Sequence, residues 1–375
     1  MVSLNRASKL AMAGLLLILL ASPTLASPTL GSPPATAAPA PPWTHALQKG
    51  LEAAEARFPG KLGVYVHHLG RDEHLSYRAG ERWYLASGIK VAVAIAVLRL
   101  VESGDMALDS AIVLSAADKV DGAGDTNRHR IGSPLCVDYL LEQMIRHSDN
   151  TATDMLIRRV GLAQINDVAR ELLAAQDLVI TSLADVRRLA YSGFHARAAG
   201  LTSDELLVLR RAAPGPDRVK QLASLLGVSP AEFLLQDMDM AFDAYYATEV
   251  NSARLSEFGR MLAALANGLA LRPEGTHYLL DLMSRVETGS RRLRARLPAD
   301  VRFAHKTGTQ HRRVCDLGIA TANVGGREEH VVIAACARGD ILARSERALR
   351  DVAASIAASG VLALPSLEPG KPHVP

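Results

Sequence analysis

Ser87 and Lys90 form the one Ser-x-x-Lys of this 375-residue chain, inside the stretch WYLASGIKVAVAIAVLRL at 83–100. Three residues apart on a helix, the two side chains share one face. The helix is apolar nearly all round, the pattern of a buried central helix, and it should end near Gly104. A lysine on such a helix is desolvated, which lowers its pKa and makes a neutral amine available as a base. A serine hydroxyl is a weak nucleophile and needs an adjacent base. Backbone N–H groups at the helix start can also face a developing negative charge. Taken alone, Ser-x-x-Lys is common and reads first as a helix cap followed by a snorkelling lysine.

Two further triplets change the weight of that pair. Ser148-Asp149-Asn150 stands at a tight corner between two helical patterns, and Lys306-Thr307-Gly308 closes a strand pattern. Each by itself reads as a cap or a strand end. In the order Ser-x-x-Lys, Ser-Asp-Asn, Lys-Thr-Gly they make the motif set of class A β-lactamases and penicillin-binding proteins. From about residue 43 to residue 360 the chain resembles the class A β-lactamase family of serine hydrolases. The order of elements agrees, and so does the 61-residue interval from Ser87 to Ser148.

The resemblance implies a role for each matched position. Ser87 would be the acylated nucleophile and Lys90 its base or proton relay. Ser148 would pass a proton to the leaving nitrogen, and Asn150 would bind the substrate's side-chain amide. Asp149 would tie its loop by hydrogen bonds. Lys306 and Thr307 would hold the substrate carboxylate, and Gly308 would let it approach the strand backbone. The N–H groups of Ser87 and Thr309 would form the oxyanion hole. Arg292 stands fourteen residues before Lys306, where some family members place a carboxylate-binding arginine. In the basic run RRLRAR it also reads as a solvated charge.

The departures concern the second half of such a reaction. Family β-lactamases carry a Glu-x-x-Leu-Asn segment about thirty-six residues after the Ser-Asp-Asn serine, whose glutamate activates the deacylating water. At the matching place, 184–188, this chain reads ADVRR. Asp185 is the nearest carboxylate, shorter than a glutamate and expected on a helix or loop surface. The 158 residues from Ser148 to Lys306 exceed the family interval by about fifty, and the surplus falls between Tyr191 and Ala247. Glu205, Glu232 and Glu249 are the other carboxylates that a fold-back would have to recruit, although each fits a surface role. DMDMAFD, with Asp237, Asp239 and Asp243, lacks the glycine and glutamate of a calcium loop and reads as solvated.

The elements needed to position these residues follow from periodicity and punctuation. KLGVYVHHL and HLSYRAG read as a hairpin around Gly70 to Glu73. SPLCVDYLLEQMIRH reads as a helix capped by Ser133 with Pro134 in its first turn. TATDMLIRRVG follows, with Thr151 and Asp154 spaced as a capping box and Gly161 as the stop. Helical patterns cover 203–247 around the breaker APGPD, with Ser229 and Glu232 as a second box. NSARLSEFGRMLAALANG reads as an amphipathic helix, strand signals return in VRFAHKTGT, VCDLGIATA and HVVIAACARG, and a last helix spans about Ser345 to Ala358. Strands at both ends and helices between them give an α+β fold of β-lactamase/transpeptidase type, an antiparallel sheet built from both chain ends with an inserted all-helical lobe.

The domain reading is a signal peptide over 1–26 and a Pro/Ala-rich linker over 27–42. A discontinuous α/β lobe follows over 43–86 and 292–364, with a helical lobe over 87–291 that carries an extra insertion at about 191–247. Residues 365–375 form a tail. Arg6 and Lys9 before LAMAGLLLILLA, too short to span a membrane, make an export signal with cleavage expected after Ala26. The formal net charge of +3 falls to about +1 without that segment, which points to neither nucleic acid nor a charged membrane surface.

Three cysteines exclude a dense disulfide framework. A two-residue turn at Gly325-Gly326 sets Cys315 opposite Cys336, as a cross-strand disulfide or, the expectation here, as two unbonded thiols. The expected protein is an exported (periplasmic or extracellular) monomeric serine acyl hydrolase without metal or organic cofactor. It would open a β-lactam amide through an acyl-serine and release the acid slowly. The alternatives are a D-Ala-D-Ala peptidase or cell-wall amidase acting on a peptidoglycan stem peptide, and a binding module that acylates once or never.

Overall fold

The computed structural model describes residues 40–367; the expected signal peptide, most of the linker and most of the tail lie outside them. Helix α1 (Pro42–Ala56) leads into strands β1 (Lys61–His68), β2 (Glu73–Tyr77) and β3 (Arg82–Tyr84). A 3₁₀ turn over Ala86–Ile89 then precedes α2 (Lys90–Ser103), which ends at Gly104. The short strands β4 (Ala111–Val113) and β5 (Pro134–Cys136) pair with each other. Seven helices follow: α3 (Val137–Arg146), α4 (Asn150–Val160), α5 (Leu162–Leu173), α6 (Leu183–Ser192), α7 (Ser203–Arg211), α8 (Pro216–Leu226) and α9 (Met238–Ala247). Strand β6 (Ser252–Arg254) pairs with β3 and opens α10 (Leu255–Ala266), followed by α11 (Pro273–Ser284). Strands β7 (Arg302–Gln310), β8 (Arg313–Val324) and β9 (Arg327–Arg338) and helix α12 (Leu342–Ser359) complete the order.

Five strands make one antiparallel sheet in the order β2-β1-β9-β8-β7, so both chain ends build it and β7 is an edge. Strand alternation sends its residues to two cores. Val331, Ile333, Ala335 and Ala337 of β9 pack with Trp43, Leu47, Leu349 and Val352 of α1 and α12. Val332, Ala334 and Cys336 face the larger core, which is centred on α2 and includes α3, α4, α5, α10 and α11. Every residue of α2 from Lys90 to Leu98 is buried. Each large apolar side chain there stabilises the fold by about 1.5–3 kcal/mol, enough together to hold one lysine whose burial opposes folding.

Several local expectations change in three dimensions. Ser133 caps no α-helix: Pro134 lies in β5, and α3 starts at Val137. Thr151 and Asp154 form no capping box. The N-cap of α4 is Asp149, which accepts the Ala152 amide. Thr151 instead bonds Val120 and Asn127, and Asp154 accepts the amides of Leu183 and Ala184. The Ser229–Glu232 box does form, on a single 3₁₀ turn.

Cys315 and Cys336 are bonded to each other, contrary to the thiol expectation. The register over the Gly325-Gly326 turn sets them directly opposite with Cα atoms 4.1 Å apart, close enough for a bridge. Peptide mapping without reduction should therefore recover a linked Cys315–Cys336 pair with Cys136 alone alkylated. Reduction should lower stability by about 3 kcal/mol, as for a loop of about twenty residues. Alkylation of all three cysteines in the unreduced, denatured chain would contradict the bridge.

Candidate active site

Three elements meet beside Ser87. The 3₁₀ turn carries Ser87 partly exposed, with Lys90 fully buried at the start of α2. Ala86, just before the serine, has φ 49°, and Tyr84 and Leu85 are buried, so packing holds this turn in a shape its residues would not choose. Gly308 of β7 lies against it: a Cβ added there would stand 2.2 Å from the Leu85 carbonyl oxygen. Only glycine lets the edge strand approach that closely.

The corner between α3 and α4 supplies the third side. Ser148 has φ 62°, an unusual state for serine. Asp149, 1% exposed, secures it by accepting the amides of Ala152 and Thr126, each at 2.9 Å. The corner's oxygens thereby turn toward Lys90. Its ammonium donates to the carbonyls of Ser148 (2.6 Å) and Asp149 (3.2 Å) and to Asn150 Oδ1 (2.8 Å), with Ser148 Oγ at 3.5 Å. From the opposite side Lys306 Nζ reaches Ser148 Oγ at 3.0 Å and the Thr307 carbonyl at 3.0 Å.

Two buried ammonium groups thus converge on one hydroxyl. Burial pushes Lys90 down to about 7, although Asp149 and Asp154 pull the other way. Lys306 is driven well below the ordinary lysine range, first by burial and then by the charge of Lys90. Lys90 can therefore be neutral near pH 7, as a base must be.

Asn150 has both ends of its amide engaged, Oδ1 by Lys90 and Nδ2 by the Asp121 carbonyl at 2.6 Å. Thr307 Oγ1 bonds Thr288 Oγ1. Arg292 lies under the strand rather than in solvent and is 3% exposed. It donates to the carbonyls of Gly308 and Cys315 and to Thr309 Oγ1, and pairs with Glu346. Asp316, also fully buried, accepts from the Leu293 amide and bonds His305 Nδ1.

The family-model comparison matches residues 46–359 to the beta-lactamase enzyme family. The chain belongs to that family. A beta-lactamase of Mycobacterium tuberculosis is 26% identical over 314 residues, covering 82% of this chain and 83% of that protein. Beta-lactamase ROB-1 of Haemophilus influenzae is 33% identical over 126 residues, 33% of this chain and only 40% of the length of ROB-1. Among solved structures, a beta-lactamase from Sphaerobacter thermophilus superposes with a TM-score of 0.61 at 25% identity, covering 84% of this chain and 97% of that one. PBP-A shares the fold with a TM-score of 0.63 at 21% identity, over 86% and 98%.

Within this family member, the segment 184–188 lies in the first half of α6 and carries no unpaired carboxylate. Ala184 is buried, Asp185 pairs with Arg188, and Arg187 pairs with Asp121. The other candidates are engaged elsewhere. Glu205 and Glu232 close capping boxes, and Glu249 pairs with Arg82. Among the described residues, no group of three or more His, Cys, Asp or Glu is placed to hold a metal ion.

Sequence reasoning missed Asp121, Arg187 and Asp154 as parts of this neighbourhood. Asp154 lies one turn beyond Asn150 on α4, a spacing that could have flagged a shared face. Its carboxylate accepts Leu183 N at 2.7 Å and Ala184 N at 2.9 Å, so it anchors α6 beside the site. Burial raises its pKa to about 7. The folded chain then binds more protons than the unfolded one between 3.8 and about 7, so this group's contribution to stability falls as pH rises through that window. Asp154→Ala should cost about 2–4 kcal/mol by leaving two buried amides unpaired. Asp154→Asn should cost less and flatten the pH dependence; denaturant melts from pH 4 to 8 measure both.

Proposed function

We propose that the chain is a serine-dependent β-lactamase-like hydrolase that opens a cyclic amide through an acyl-Ser87 intermediate and releases the acid slowly. The convergence of Lys90 and Lys306 on Ser148 Oγ, beside a reachable Ser87, carries this reading. Neutral Lys90 takes the Ser87 proton as Oγ attacks the carbonyl carbon. The N–H groups of Ser87 and Thr309 face the oxygen that becomes negative. Ser148, hydrogen-bonded to Lys306, delivers a proton to the departing nitrogen. Lys306 and Thr307 receive the substrate carboxylate, Asn150 its acyl amide, and Arg292 acts as a positioning residue through Thr309.

Slow release is supported by the state of 184–188, where Asp185 is bound to Arg188 and no glutamate stands. That same observation favours, as a second reading, a D-Ala-D-Ala peptidase or cell-wall amidase. The apolar run after Arg6 and Lys9 supports export to the periplasm or exterior. Among the described residues no helix is long and apolar enough to cross a membrane.

Intact-mass spectrometry after mixing with benzylpenicillin should show one adduct, mapped to Ser87, that outlives the mixing time. Ser87→Ala should remove it, and Lys90→Ala should slow its formation by about 10²–10⁴-fold. A label on another serine, or rapid steady-state hydrolysis with no adduct, would overturn the proposal. The acylation rate should rise about tenfold per pH unit below about 7 and level off above it, as Lys90 loses its proton. A rate independent of pH from 5 to 8 would remove Lys90 as the base.

A further inference from the structure

Helix α6 and the helices of the surplus segment, α7 to α9, wall a cavity of about 240 Å³ next to the site. Its position is set by two neighbours. Asp121, one of its lining residues, accepts Asn150 Nδ2 through its carbonyl, and Gln310, another, directly follows Thr309. On one wall of it, α9 is fastened to the β7–β8 turn. Tyr246 donates to the His311 carbonyl at 2.6 Å, Phe242 stacks on the His311 ring, and Asp239 pairs with His311 and Arg312. Asp237, Asp239 and Asp243 are thus not merely solvated: the first caps α9 and the other two face the basic turn.

The lining carries three arginines, Arg187, Arg210 and Arg218, against the single carboxylate of Asp121. Arg187 holds Asp121 with two bonds, at 2.7 and 3.2 Å, and Arg210 lies 3.6 Å from the same carboxylate. Arg218 donates to the carbonyls of Ala212 and Arg210 and interacts with the Tyr191 side chain, but its Nε is buried with no partner at hydrogen-bond geometry among the described residues. A buried guanidinium N–H left unpaired is costly, and the pocket holds two more positive charges than negative ones. A carboxylate satisfies both conditions, since arginine forks match its two oxygens.

We propose that this cavity is an anion subsite for a substrate whose acyl arm ends in a carboxylate. The inference rests on the acyl-hydrolase reading for the direction of the arm, because Asn150 is the group that meets the acyl amide there. A β-lactam and a peptide amide could both present such an arm, and their shared chemistry is the distal carboxylate.

The test uses Ser87→Ala protein, which cannot be acylated at the site, and calorimetric titration. Four probes are compared: adipoyl and hexanoyl amides of 6-aminopenicillanic acid, and the adipoyl and hexanoyl amides of D-alanyl-D-alanine. Within each pair the chain length is equal and only the terminal carboxylate differs. The adipoyl member should bind at least about tenfold more tightly, in one pair or both, and the responding pair names the source. Adding Arg218→Gln or Arg210→Gln should collapse the preference to within about twofold.

Should Arg218→Gln fail to fold, Arg210→Gln and salt still decide. Arg210 is largely exposed, and raising NaCl from about 50 to 500 mM should shrink the preference several-fold. Equal affinity within both pairs, or a preference that survives Arg210→Gln and salt, would overturn the subsite and show these arginines to be internal braces of the insertion. Labelling of the unmutated protein by the hexanoyl penicillin is judged separately: its absence sinks the acyl-enzyme, while the binding preference still decides the pocket.

Discussion

Two lysine ammonium groups, Lys90 and Lys306, lie fully buried within reach of one serine hydroxyl, and neither has a carboxylate at ion-pair distance among the described residues. Charges taken out of water in this way oppose folding by several kcal/mol each unless they are neutralised or densely hydrogen-bonded. The protein does both. Carbonyl oxygens of a strained corner surround Lys90, and its pKa falls far enough for the neutral form to be populated near pH 7. The unfavourable burial is therefore also what makes a neutral Lys90 amine accessible near pH 7.

Holding that arrangement determines much of the surrounding structure. Ser148 keeps its left-handed backbone because Asp149 is bonded to Ala152 and Thr126 from two directions. Strand β7 comes within contact of the Ser87 turn because position 308 has no side chain. Arg292, buried beneath the strand, ties the carbonyls of Gly308 and Cys315 together and fixes the Thr309 hydroxyl. Each acts by restricting motion around the serine rather than by adding a reactive group.

Helices α6 to α9 add a wall without disturbing that frame. Asp154 anchors their start, and Asn251, whose amide bonds Val179 and whose side chain bonds Thr181 and Tyr245, anchors their return. Between those points Tyr245 packs on Tyr84, three residues before Ser87, together with Val186 and Ala190. The insertion is thereby joined to the Ser87 turn through an aromatic contact and to β7 through its turn residues. A change in α9 has two short physical routes, one to the Ser87 turn and one to β7.

The residues alone were enough to name the family and the fold class. Ser87, Lys90, Ser148 and Lys306 stand in short motifs, and α2 and the β8–β9 hairpin announce themselves through periodicity and paired glycines. Such signals are local: backbone preference and amphipathic spacing act over a few residues and survive in a one-dimensional reading. Tertiary structure decided the rest. Asp154 leaves the helix cap its spacing suggested because buried amides thirty residues away needed an acceptor. Arg292 sinks beneath a strand, Pro134 leaves the helix start for a strand, Cys315 bonds Cys336, and Arg187, Arg210 and Arg218 gather on one cavity. Those outcomes depend on which distant groups share a desolvated space, where an unpaired charge or amide costs more than any local preference can return.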